Sequence, residues 1–340
     1  MTPYFRPLAL TGPDRPDGAL RLAGGPLWFD RLERLSRTAP PCVIPAADAP
    51  ADVLARLTAP RAPVAGLDMT RTSIMGILNV TPDSFTDGGQ HNAPAAALAH
   101  ARAMQGQGAD IIDVGGESTR PGALTVDPED EIARTAPVIA ALRGAGLDLP
   151  VSIDTRKTAV AQAAIAAGAN LVNDVSGFTF DDTLAGYCAA HDLPVCVMHA
   201  QGDPQTMQAD PRYDDVLLDV YDFLAARIAA LEAAGIPRTR IIADPGIGFG
   251  KTQAHNLALL ARISLFHTLG CPILLGASRK KFIATLGHAP DIEARVHGSV
   301  AVALAAAAQG VQVLRVHDVF ATRSALTLWQ AATKGSSDDA

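Results

Sequence analysis

Three stretches, VSIDTRK, NLVNDVSG and IIADPGIGFGK, each place an acceptor where an apolar run stops: Asp154, Asn173 and Asp244. An ionised carboxylate accepts two parallel N–H bonds from an amidine-like edge. The three together suit a flat heterocycle with a donor-rich rim, such as a 2-amino-4-oxo pyrimidine. The plainer use of each is a helix N-cap or an Asx-turn, least suited to Asp244, which Pro and Gly follow into a loop. A second group is cationic. ASRKKF sets Ser278, Arg279, Lys280 and Lys281 where a helix starts after an apolar run, and a helix N-terminus beside Lys or Arg takes anions. LRVHDVF puts Arg315 and His317 two residues apart, on one side of a strand. With Asn79, the last residue of SIMGILN, they can hold a pyrophosphate and a divalent ion. An amide oxygen is a fitting hard ligand for Mg2+, which keeps several waters and leans on substrate phosphates. His317 has no His or Cys at zinc spacing, and its plainer role is a partly buried hydrogen bond. No Ser-His-Asp or Cys-His pair stands out, so covalent catalysis is not indicated.

Something must bring these residues together. From Ser73 onward short β-rich runs recur: SIMGILN, ADIIDVG, PVSIDT, ANLVNDV, PVCVMH, RIIADPG, CPILLGAS and VQVLRVHD. Ala- and Leu-rich segments of helical character separate them, at 94–106, 128–143, 157–167, 181–190, 213–234, 254–268, 294–309 and 319–333. Strands alternating with helices imply parallel β-α units, and strands apolar throughout fit a sheet covered on both faces. Eight units in about 270 residues predict a (β/α)8 TIM barrel. An open doubly wound sheet would want GxGxxG between its first strand and helix, and neither GGPLWF nor DPGIGFGK supplies it there. Most of the runs end in Asn, Asp, His, Arg or Lys, and barrel active sites are built at the C-terminal ends of the strands. The polar stretches after the first two strands, TPDSFTDGGQHNAP and GGESTRPGALTVDPEDE, read as loops able to fold over a substrate.

Residues 1–72 are rich in Pro, Arg and Ala and carry no catalytic constellation. They predict a small appended lobe with a strand-like piece, a short helix near 28–37 and a Pro-rich linker, TAPRAPVAGLDMTRT. The chain thus divides into an N-terminal extension of unknown role (1–72), a barrel (73–334) and a disordered tail (335–340). With 28 basic and 35 acidic residues the net charge is −7, so nucleic acid is an unsuitable partner. Any anion is held by a few placed groups. Four scattered cysteines without a CxxC pair read as reduced core thiols. No basic stretch precedes an apolar one at the N-terminus, as a signal peptide would require, and no apolar run reaches the roughly 18 residues of a membrane span. A soluble cytoplasmic protein is expected.

IMGILNVTPDSFTDGG, GADIIDVGGESTRPGA, VSIDTRK, NLVNDVSG, VMHAQGDPQTMQ, IIADPGIGFGK, LLGASRKKF and LRVHDV, in order from about residue 73 to 318, resemble the dihydropteroate synthases. The resemblance implies a pterin-binding (β/α)8 barrel that joins a dihydropterin-methyl pyrophosphate to p-aminobenzoate. It also implies Mg2+ use, a homodimer and sulfonamide sensitivity. Residue by residue, it makes Asn79 the Mg2+ ligand and places Asp154, Asn173, Met198, Asp244, Gly248 and Lys280 in the pterin pocket. It puts Asn79, Arg315 and His317 at the pyrophosphate, and Phe85, Thr119, Arg120, Pro121 and Ser278 around p-aminobenzoate. Asp154, Lys280, Arg315 and His317 are the expected catalytic residues. Ala200, Asp203 and His297 depart from the family's usual residues without touching these positions. A pterin-dependent methyltransferase of the corrinoid kind would share the barrel but needs no pyrophosphate site. A non-catalytic pterin-binding protein would have lost one of the groups.

Overall fold

The computed structural model describes residues 3–81, 93–118, 122–202 and 206–335. The N-terminal part holds strands β1 (Tyr4–Pro7), β2 (Leu20–Arg21), β3 (Trp28–Phe29), β4 (Arg31–Leu35) and β5 (Cys42–Pro45), then helix α1 (Ala51–Thr58). An antiparallel sheet in the order β1-β4-β5 and a β2-β3 hairpin enclose a small core of Phe5, Leu22, Phe29, Leu32, Val53 and Leu57.

The eight runs read from the sequence are the eight parallel strands β6 (Ser73–Asn79), β7 (Ile111–Gly115), β8 (Val151–Asp154), β9 (Leu171–Asp174), β10 (Val195–Met198), β11 (Ile241–Asp244), β12 (Leu274–Leu275) and β13 (Val313–Val316). Around them lie α2 (Ala93–Gly106), α3 (Pro128–Gly144), α4 (Thr158–Ala166), α5 (Leu184–Ala190), α6 (Val216–Ala233), α7 (Gln253–Ala261), α8 (Lys281–Leu286), α9 (Val296–Ala307) and α10 (Val319–Lys334). The order β11-β10-β9-β8-β7-β6-β13-β12 is closed into a barrel by a parallel bridge from Ala243 to Ile273. The predicted helix at 254–268 divides into α7 and a 3-10 turn at Ile263–Leu269.

Alternate residues of a strand face opposite ways, so the barrel interior is layered. The lowest layer is apolar, with Met75, Ile111, Leu171, Cys196, Ile242, Leu274 and Val313 in one cluster. Val64, Leu67 and Met69 complete that cluster, and each is at most 4% exposed. The stretch expected to be a linker is therefore the plug of the barrel floor. Its Pro residues do not make it a spacer, because Val64 and Leu67 pair across a tight turn and bury their side chains.

The helix expected near 28–37 is absent, and β3 and β4 occupy that stretch. Phe29, Leu32 and Leu35 recur at threes, which mimics a helix face. The strand nevertheless buries both of its faces: Leu32 in the small core, and Glu33 against Arg6 (2.7 Å) and Arg262 (3.1 Å). Here tertiary pairing overrides local pattern.

Candidate active site

Strand register builds the site. Asn79 lies beside Gly115, Gly115 beside Asp154, and Asp154 beside Asn173, so one row crosses β6, β7, β8 and β9 at their C-terminal ends. Gly115 keeps the row open, since a Cβ there would stand 3.6 Å from both Asn79 Oδ1 and Asp154 Cβ. On the next strand pair Met198 lies beside Asp244.

For Asp154 and Asn173 the duller roles fall to neighbours, whereas Asp244, expected to be least suited to an Asx-turn, makes that turn with one of its oxygens. Asp154 does not cap α4, whose N-cap residue is Lys157. Asp174 makes the turn after β9, accepting from the N–H groups of Ser176 (2.7 Å) and Phe178 (2.8 Å), and this leaves Asn173 for the interior. Asp244 gives one oxygen to the Gly246 N–H at 2.7 Å and turns the other towards the barrel axis, where Gly276 leaves room.

Arg315 crosses the centre. Its Nε donates to Asp113 at 2.6 Å and its Nη2 to Asp154 at 2.8 Å. Two carboxylates share this one guanidinium, and the Asn173 amide reaches Asp113 at 3.4 Å. Burial pushes the Asp154 pKa up; Arg315 opposes that, and the Asp113 charge adds to it. Burial likewise works against the Arg315 charge, but Asp113 and Asp154 win and raise its pKa.

Lys280 approaches from the other side. Its Nζ donates to the Ile247 carbonyl and stands 4.1 Å from the Phe249 ring centroid. Burial, only partly offset by Asp244, pushes its pKa down to about 7. Burial raises the Asp244 pKa, against the Gly246 N–H and the Lys280 charge. Gly248 has φ +84, and a Cβ there would sit 2.8 Å from Lys280 Cδ, so a side chain is excluded on two counts.

His317 and Ser278 form a pair, with Nδ1 to Oγ at 3.0 Å and the His317 N–H donating to the same Oγ at 3.2 Å. Arg279, expected to serve an anion, is instead bound to Asp318 at 2.9 and 2.5 Å, its backbone in the left-handed region at φ +59. That conformation turns it outward, and Lys281 is exposed. Of the ASRKKF cations, Lys280 alone reaches the interior site. Phe85, Thr119, Arg120 and Pro121 lie outside the described residues.

Sequence reasoning noted Asp113 only as a strand-end carboxylate, although its inward parity with Gly115 marks it for the central cluster. It noted Glu117 in the same way, as a strand-end group, and passed over Arg156, Lys157 and Glu131. Arg156 and Lys157 each lie 3.2 Å from Glu117, and Lys157 lies 2.5 Å from Glu131. The Val126 N–H donates to Glu117 at 2.9 Å and the Val126 carbonyl accepts from Lys157 at 2.8 Å. This buried cluster ties both ends of the loop after β7 to the end of β8.

The metal expected at Asn79 meets a sparse donor set. Asn79 Oδ1 has no hydrogen-bond partner among the described residues, and none of them form a group of three or more His, Cys, Asp or Glu able to hold a metal. One amide oxygen does not bind a divalent ion alone. It does fit Mg2+, whose remaining positions go to water and substrate phosphate.

A closed β/α barrel with acceptors on three strand ends and cations beside them has the makings of a pterin site, and residues 75–317 match the family model described as "Pterin binding enzyme". The dihydropteroate synthase of Neisseria meningitidis serogroup B is 48% identical over 271 residues, covering 78% of this chain and 94% of that one. The solved Yersinia pestis dihydropteroate synthase with a sulfonamide drug superposes with a TM-score of 0.75 at 45% identity, covering 80% of this chain and 98% of that one. The Xanthomonas albilineans enzyme with 4-aminobenzoic acid gives 0.75 at 48% identity and the same coverages. The chain belongs to the dihydropteroate synthase family, transferases of folate biosynthesis.

Proposed function

We propose that the enzyme joins 6-hydroxymethyl-7,8-dihydropterin pyrophosphate to p-aminobenzoate, giving 7,8-dihydropteroate and pyrophosphate. The observation that carries the residue assignment is the open row of Asn79, Asp154 and Asn173, faced by Asp244 and Lys280. Asp244 and the Asn173 amide oxygen accept from the pterin's 2-amino and ring N–H edge, and Met198 and Gly248 line the slot. Lys280 donates to the ring's acceptor side. His317, with Ser278 behind it, and Arg315 receive the pyrophosphate. The family resemblance assigns p-aminobenzoate to Phe85, Thr119, Arg120, Pro121 and Ser278. Asn79 holds Mg2+, which when bound offsets phosphate charge.

The C–O bond to pyrophosphate breaks, and the electron pair leaves with the phosphate oxygen. The cation left on the methylene spreads into the pterin. Asp154, whose pKa burial raises to about 8 against the opposing charge of Arg315, lies beneath the ring and in its ionised form stabilises that charge. The arylamine nitrogen then forms the new C–N bond with its lone pair and releases a proton. An arylamine is neutral near pH 7, so no strong general base is required.

Residues 1–72 are an extension of the pterin-binding barrel at 73–334, and of the tail expected at 335–340, residues 336–340 lie outside the described residues. The enzyme works as a homodimer in the cytoplasm. Among the described residues no helix is long and apolar enough to cross a membrane. The deciding experiment mixes the protein with pterin pyrophosphate, Mg2+ and p-aminobenzoate and follows pyrophosphate release. Tight pterin binding without release would sink this reading and leave a non-catalytic or methyl-transferring pterin protein.

A further inference from the structure

Lys251 is as buried as a core residue, at 3% exposed. It ends the turn between β11 and α7, and no carboxylate lies within ion-pair distance of it among the described residues. A buried ammonium must find its stabilisation somewhere, and here it comes from main-chain carbonyls. Nζ lies 2.8 Å from the carbonyl oxygen of Gly246, 3.0 Å from that of Phe249 and 3.3 Å from that of His199. It also stands 2.8 Å from His199 Nδ1. Three N–H groups are thus shared among four acceptors. Two of those acceptors are on the β11–α7 turn, and the other two belong to the residue just past β10.

The turn it holds is the one that shapes the Lys280 site. Gly246, Gly248 and Gly250 all have positive φ, at +66, +84 and +61, so the turn is built of the residues that lose most freedom on folding. It presses on β10: a Cβ at Gly246 would fall 1.9 Å from the His199 carbonyl oxygen. Between the two carbonyls gripped by Lys251 lies Ile247, whose own carbonyl accepts from Lys280 Nζ. The Phe249 ring that lies 4.1 Å from the Lys280 ammonium belongs to a residue whose carbonyl Lys251 grips. Lys251 makes its hydrogen bonds to His199, Gly246 and Phe249 and none to Lys280, so it acts on Lys280 through this turn.

We propose that Lys251 is a positioning residue for the reaction: by holding the Gly246 and Phe249 carbonyls against the end of β10, it fixes the Ile247 carbonyl and the Phe249 ring that hold the Lys280 ammonium in place. The inference rests on the assignment of Lys280 to pterin binding. Met is the test substitution, because it keeps the length and apolar stem and removes every donor. In Lys251→Met, kcat/KM for pterin pyrophosphate falls roughly tenfold to a hundredfold, the scale of a small misplacement of a binding group. Affinity for the free pterin weakens with it. The KM for p-aminobenzoate stays at its wild-type value, which a general loosening of the fold would not allow.

Lys280→Met is measured alongside. If it binds pterin as the wild type does, the assignment of Lys280 is wrong and the proposal falls with it. If Lys280→Met loses pterin affinity while a folded Lys251→Met keeps wild-type affinity and KM, the assignment stands and the positioning role alone is overturned. Equal losses towards pterin and p-aminobenzoate also overturn it. If Lys251→Met does not fold, Lys251→Arg replaces it. Arg keeps donors but in a planar fork that cannot reproduce the same set of contacts, so a smaller loss confined to the pterin is expected, and wild-type pterin kinetics would overturn the proposal.

Discussion

Asp154 is the residue at which binding and chemistry separate. It touches Arg315 at 2.8 Å, and the row leaves its carboxylate open towards Asn79 across Gly115. If it stabilises the pterin cation, its charge matters in the transition state and little in the ground state. Asp154→Asn is therefore expected to lower kcat by roughly a hundredfold or more, as loss of one charge-stabilising group does elsewhere, with a far smaller change in pterin affinity measured by calorimetry. Equal losses in both would make Asp154 a plain binding residue. Lys280 gives a prediction in pH. Its pKa is pushed down to about 7 by burial, so in the empty site the ammonium is protonated below about 7 and neutral above. Affinity for the free pterin, which depends on the Lys280 charge and little on that of Asp154, should decline as pH rises through about 7. In Lys280→Met that decline should vanish. The same shift bears on stability. The unfolded chain holds this proton up to the ordinary lysine pKa and the folded chain only to about 7, so burial of the charge costs most at pH 7 and below, and the cost fades as pH rises. Lys280→Met should accordingly raise Tm more at pH 6.5 than at pH 9.

Elements explain which of these features the sequence disclosed. All eight barrel strands were legible because each is apolar throughout and bounded by turn residues. Their ends were legible because Asn79, Asp154, Asn173 and Asp244 break an apolar run at an inward position. Lys251 was not, because its partners are main-chain carbonyls that leave no mark in the side-chain pattern. Nor was the fate of Arg279, which a single left-handed residue turns towards Asp318. The N-terminal lobe was misread for a related reason: its strand pairing is long-range, and Phe29, Leu32 and Leu35 keep the spacing of a helix. Its contacts show that it is integral to the fold. Every residue of the Ile263–Leu269 turn is buried, Ser264 Oγ donates to the Pro7 carbonyl at 2.9 Å, and Trp329 of α10 packs on the small core. Leu57 is wholly buried in that core. Leu57→Ala should cost about 2–5 kcal/mol in urea unfolding and leave kcat/KM of the folded enzyme unchanged, because no element of the lobe reaches the strand ends that carry the site. A loss of pterin affinity in that variant would show coupling that the geometry does not provide.

The molecule as a whole carries a net charge of −7, which disfavours association unless an uncharged surface offers itself. The paired helices α9 and α10 offer one. On α10, Phe320, Ser324, Leu328 and Ala332 follow one another at intervals of four and are all exposed; Phe320 is 66% and Leu328 68% accessible. On α9, Ala301 and Ala305 are exposed at the same spacing. Residues four apart share a helix face, so each of the two helices presents an uncharged stripe. Exposed apolar side chains as large as Phe320 and Leu328 mark a candidate contact. Small alanines on one helix allow close approach while the larger side chains of the other fill the gap. A second copy related by a two-fold axis would meet this face with the same face. Light scattering on the eluting protein should give a mass near twice 35.3 kDa. Phe320→Glu together with Leu328→Glu places two carboxylates per chain in the contact and should shift the mass to that of one chain. The row of Asn79, Asp154 and Asn173 lies inside the barrel mouth and not on this outer face, so pterin affinity of the separated chains should persist. A wild-type protein of single-chain mass, or a double variant that stays paired, would remove α9 and α10 as the contact.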